Sequence, residues 1–199
     1  MYAEQFSAPS WLEEPSQWLW WAMQSRIGGN LKDALYNLNQ FWTTLDPLKA
    51  GADTSTWPEI LALDSQSHLQ AANISGAIIS EMEKDLSQAV ALATFFSPTL
   101  MASYLGDTKS AAATAIQKMQ DQRLSELKLA ADLADQANTA AATRVVAVVE
   151  GRISNEDAER AIENSQLKRI MQRDDSMSTN YLLWVGAGLA LLLLLKGNR

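Results

Sequence analysis

The stretch LSELKLAADLADQANTAAATRVVAV, Leu124 to Val148, carries the clearest structural signal in this chain. Leu124, Leu127, Ala131, Ala134, Asn138, Ala141, Val145 and Val148 recur at alternating spacings of three and four. That period places all eight on one side of a helix and predicts a coiled-coil-like seam. Three of the eight are alanine, which lets a second helix approach closely. Asn138 falls on the seam, where a buried amide fixes register at some cost in stability. The pattern fits pairing within the chain and pairing between chains equally well, so Leu124 to Val148 is a candidate oligomerisation seam.

Upstream and downstream, the same helical grammar continues. Ser16 is expected to cap a Trp-rich helix that Gly28 and Gly29 stop. Asn30 caps the next helix, Leu31 to Leu45, with Leu31, Leu35, Leu38, Trp42 and Leu45 as its packing face and Asp46-Pro47 as its end. Thr56-Trp57-Pro58-Glu59 reads as a capping box with proline in the first turn. The helix it opens runs to Phe96, with Leu61, Leu69, Ala72, Gly76, Ile79, Leu86, Val90 and Ala93 on its buried side. Ser97-Pro98 breaks it, a short helix to Leu105 closes at Gly106, and Asp107 or Thr108 begins the seam helix. Ser154 then caps a charged helix reaching about Arg173, with Ala158, Ile162 and Ile170 on a narrow apolar face. Residues 1–15 read as a polar, proline-punctuated arm with Trp11 and Leu12 exposed. The expected fold class is all-α: an elongated helical bundle followed by one C-terminal transmembrane helix. The expected divisions are 1–29, an arm and Trp-rich helix; 30–175, the bundle; and 176–199, a hinge and anchor.

The anchor rests on YLLWVGAGLALLLLL, residues 181–195, which holds no charge. Tyr181, Leu182, Leu183, Trp184, Leu189, Leu191, Leu192, Leu193, Leu194 and Leu195 supply its apolar surface. A bilayer core needs about 20 helical residues, and the stretch from Met177 to Lys196 meets that length. Tyr181 and Trp184 suit one headgroup layer, and Lys196 extends its ammonium toward the other. A buried core helix would normally retain some polar positions, and this stretch has none. Gly186 and Ala190, four apart, are candidates for helix packing inside the membrane. Lys168, Arg169 and Arg173 flank one end, and Lys196 and Arg199 the other, a balance too even to set orientation. Met1 to Ser10 lacks the basic and apolar regions of a cleavable signal, so the N-terminal domain is expected on the cytoplasmic side.

Trp11, Trp18, Trp20 and Trp21 hold four of the seven tryptophans. As large apolar plugs they seal a bundle or a subunit contact. As amphipathic rings they also suit a membrane interface, although Arg26 alone would supply the basic side of such a helix.

Chemistry is sparse. The chain has one histidine, His68, and no cysteine. That excludes disulfides, thiolate catalysis and Cys-type zinc sites. Asp64, one turn before His68, reads as a surface partner. Glu81, Glu83 and Asp85 read as a solvated face, as do Glu156, Asp157, Glu159 and Glu163. No phosphate-binding loop or nucleophile elbow occurs. No catalytic residue, cofactor or metal is therefore expected. A net charge of −7 argues against a nucleic-acid partner.

The expected function is thus non-catalytic: a tail-anchored helical protein that oligomerises as a structural or assembly component, with a lipid bilayer and further copies as partners. A second reading makes the Trp-rich helix a membrane-perforating or genome-delivery element. In architecture the chain is similar to small helical membrane proteins of bacteriophage particles, a likeness carried by no shared motif.

Overall fold

The computed structural model describes residues 9–52, 54, 57–96 and 101–165, with side chains described for 11–52, 54, 57–88 and 109–165. The regular structure among the described residues is all helical, with no strand. A short 3-10 turn, Pro9–Leu12, leads into α1 (Glu13–Ile27), α2 (Leu31–Gly51), α3 (Pro58–Phe96), α4 (Met101–Val149) and α5 (Asn155–Asn164). The expected anchor at 181–195, its Gly186 and Ala190, the hinge before it and Ile170 lie outside the described residues. No described helix is long and apolar enough to cross a membrane.

The frame is an antiparallel hairpin of α3 and α4. At about 1.5 Å per residue, their 39 and 49 residues span roughly 60 and 70 Å. α1 and α2 pack against the first half of α3, and α5 folds back onto the Pro9–Leu12 turn. This creates a base in which every residue from Pro58 to Ser67 is buried. The core holds Leu12, Leu19, Met23, Leu38, Phe41, Leu45, Ile60, Leu63 and Ile74. Past Ile79 on α3 and before Ala130 on α4, no described side chain is buried. The hairpin continues there as a two-helix arm.

The α1–α2 corner follows its sequence signals. Gly29 takes a left-handed φ of +77°. Its N–H reaches the Arg26 carbonyl at 3.0 Å, and the Asn30 N–H reaches that of Ser25 at 2.9 Å. This is a Schellman closure, which satisfies helix-end carbonyls and favours glycine at the left-handed position. The Asn30 side chain then accepts from the Asp33 N–H at 3.2 Å, capping α2 as expected. At the far end Ser154 caps α5 by accepting from the Asp157 N–H at 3.0 Å.

Several expectations need correction. α1 starts at Glu13, and Ser16 is not its cap: fully buried, its hydroxyl donates to the Leu12 carbonyl at 2.6 Å. The arm ending is not exposed either. Leu12 is buried, and Trp11 meets Trp57 edge-on with ring centroids 6.1 Å apart. α2 runs through Pro47 to Gly51. Pro47 lacks only its own N–H, and α2 stays packed on α3 beyond it, where Lys49 is held by Asp64. The buried face of α2 is Ala34, Leu38, Phe41 and Leu45, leaving Leu35 exposed and Trp42 at the edge. Gly106 does not end a short helix: α4 is continuous from Met101.

Candidate functional site

The seam between α3 and α4 is where the charged and polar groups of this fold converge. On α3 it follows Ser65, His68, Ala72, Ser75, Ile79, Met82 and Leu86. On α4 it follows Ala112, Ile116, Met119, Arg123, Glu126, Ala130, Leu133, Ala137, Ala140, Arg144 and Ala147. All of these are buried or half-buried except Arg123. The three-four period predicted for α4 is present, one residue N-terminal of the expected register. Of the expected seam, Leu124, Ala131 and Asn138 are exposed, and Leu127, Ala134, Ala141, Val145 and Val148 are half-buried. Those residues flank the contact with α3 and do not form its centre.

Charged layers interrupt the seam and explain its register. Near the base, Arg144 Nη1 lies 2.5 Å from Glu59 Oε1, with both side chains nearly inaccessible. Burial pushes the Glu59 carboxyl above its ordinary value, although the Arg144 charge and hydrogen bond pull it down. Glu59 Oε2 has no hydrogen-bond partner among the described residues, which agrees with desolvation dominating. Glu59 therefore ties α3 to α4, where a capping role was expected.

Higher on the hairpin, His68 joins three helices. Its Nδ1 is 2.6 Å from Glu126 Oε2 on α4, and its Nε2 is 3.6 Å from Asp64 Oδ1 on α3. Asp64 is not a surface residue: it is 2% exposed and binds Lys49 Nζ of α2 at 2.5 Å. The Trp42 ring leans over His68 at 5.7 Å, and its indole N–H donates to Ser67 Oγ at 2.8 Å. Between the two layers the Ser65 hydroxyl donates to the Ala130 carbonyl at 2.7 Å. Beyond His68, Arg123 lies over Gly76, its Cζ 3.2 Å from where a Cβ would stand. No group of three or more His, Asp or Glu among the described residues is arranged to hold a metal ion. The arrangement can fix the axial position and facing of α2, α3 and α4. Sequence spacing hinted at it only through Asp64 and His68, since Glu126 is 58 residues from its partner.

The tryptophans divide. Trp11, Trp18 and Trp20 pack against the core partly buried, whereas Trp21 is 44% exposed. Trp21 stands edge-on to Trp18 at 4.9 Å, and Trp18 edge-on to Tyr36 at 6.5 Å. Tyr36, Leu35 and Ile27 are also exposed on these two helices.

No protein-family model matches the chain, and neither a curated protein nor a solved structure does.

Proposed function

We propose that this chain is a non-catalytic helical protein that works by oligomerising as a structural or assembly component, tethered to a membrane by residues 181–195. The observation that carries the assembly part is the hairpin's form: α3 and α4 extend past the base as a two-helix arm with no buried side chain among those described. Its polar layers at Glu59–Arg144 and His68–Glu126 suit a rigid spacer, because a one-turn slip would strand each charge in the seam. The tether rests on the uncharged run Tyr181 to Leu195.

The test compares the full chain with one ending at Ser176. The full chain is expected to stay with membranes under alkaline carbonate, and the shorter chain to be released and multimeric. Free extraction of the full chain would remove the tether from the proposal.

The exposed Trp21, beside Trp18 and Tyr36, favours one second reading. Under it the Trp-rich helix inserts into lipid and the protein perforates a membrane, as in virion membrane or genome-delivery proteins. Dye release from liposomes separates the two.

A further inference from the structure

The arm's seam is only half covered. Met82 and Leu86 on α3 and Ile116 and Met119 on α4 are half-buried, although each lies on the packing line that is buried in the base. Apolar side chains left in that state gain by further cover, since the hydrophobic contribution scales with the area removed from water. Beside them α4 carries a groove of about 500 Å³ lined by Ser110, Ala111, Thr114, Ala115 and Lys118. Four of its five walls are short side chains, which let another helix come close.

Charge points to what fits there. On the arm, α3 carries Glu81, Glu83 and Asp85 against a single lysine, Lys84, itself 3.7 Å from Glu81. The facing length of α4, residues 109–118, carries Lys109 and Lys118 and no acid. The antiparallel register set by His68–Glu126 and Gly76–Arg123 brings residues 81–85 level with 109–118.

We propose that the distal arm is a self-association surface on which a second copy of this chain lays its own arm. The two copies are related by a two-fold axis running along the arms. Each acidic α3 then lies beside the basic α4 of the other copy, and the two half-covered seams merge into one four-helix core. Both bases stay at the same end of the assembly, as two copies tethered to one bilayer require. This deepens the assembly reading above and rests on it. It places the contact on the arm, away from Leu124 to Val148.

The full chain in detergent, at micromolar concentration, is weighed by sedimentation with the detergent mass subtracted. A dimer is expected. Lys118→Glu sets like charges against each other twice by symmetry and weakens dimerisation about tenfold. Adding Glu81→Lys, the acid on the same face and level, to Lys118→Glu restores it. Ala111→Trp fills the groove from an exposed position and also yields monomer, with far-UV circular dichroism confirming that each variant remains helical. A monomeric wild type overturns the proposal, as does a dimer indifferent to both Lys118→Glu and Ala111→Trp. So does a Lys118→Glu defect that Glu81→Lys does not repair, the result expected if the arm is instead covered by lipid or by the chain beyond Ser165. Carbonate extraction reads the tether separately, so a membrane-retained monomer would end this inference and leave the tether standing.

Discussion

Arg144 and Glu59, 85 residues apart in sequence, meet at 2.5 Å across the α3–α4 seam where almost no solvent reaches. Both ions have lost their hydration, so the pair is worth little against an apolar replacement, but either partner alone is costly. Arg144→Met is therefore expected to lower the unfolding free energy by about 3–5 kcal/mol. Glu59→Met with Arg144→Met is expected to return to wild-type stability or exceed it by about 1–4 kcal/mol. Urea unfolding of the wild type, both single variants and the double variant measures this. Additive single losses in the double variant would show that the pair is not coupled.

The raised Glu59 carboxyl predicts a pH dependence of definite sign. The folded state holds this proton more tightly than the unfolded state, whose value is near 4.5. Its contribution is thus fully present below about 4.5 and is lost as pH rises through the raised folded value. Glu59→Gln removes the titration. The wild type is expected to lose stability relative to Glu59→Gln as pH rises from about 4.5 toward neutrality. Urea midpoints at a series of pH values test this, and a gap that widens in favour of the wild type would contradict the assigned direction.

The line that α4 buries against α3 stands one residue N-terminal of its more apolar stripe, for a physical reason. Leu124, Leu127, Val145 and Val148 form the more apolar stripe, so periodicity selects them. The buried line one residue earlier contains Arg123, Glu126 and Arg144, which look disqualifying until their partners Gly76, His68 and Glu59 are placed opposite. Those partners are more than 40 residues away, where no local pattern reaches. Alanine at 130, 137, 140 and 147 lets α3 approach the less apolar line closely, and the charged pairs across it decide which stripe is buried. Local chemistry was readable where it is self-contained. The left-handed Gly29 stop, the Asn30 and Ser154 caps and the full run of α3 to Phe96 all follow from their own neighbourhoods. Pro47 and Gly106, each read as an ending, are overridden by packing and helix continuity beyond those neighbourhoods.

Gly76 offers a test of how closely the helices need to approach. Glycine inside a helix costs about 1 kcal/mol relative to alanine. A Cβ at this position would stand 3.2 Å from Arg123 Cζ, the far end of a flexible side chain on an exposed residue. The guanidinium can yield by a few tenths of an ångström, so Gly76→Ala is expected to raise stability by about 0.5 kcal/mol. A loss above about 1 kcal/mol on thermal or urea unfolding would mean that Arg123 is fixed in place and the glycine is required.

Trp21 decides between the two membrane readings more cleanly than the tryptophans as a group. Trp18 and Trp20 pack against the core, so replacing them weakens the fold whatever the protein does. Trp21 is 44% exposed and touches Trp18 edge-on. Trp21→Ala is expected to cost only about 0.5–1.5 kcal/mol for the lost aromatic pair. Leu19→Ala, at a fully buried position two residues earlier, is expected to cost about 2–5 kcal/mol. With folding nearly intact, Trp21→Ala isolates the surface role of the ring. Under the assembly reading, wild type and Trp21→Ala both leave dye-loaded liposomes sealed. Release by the wild type that Trp21→Ala abolishes would instead make this helix a membrane-inserting element.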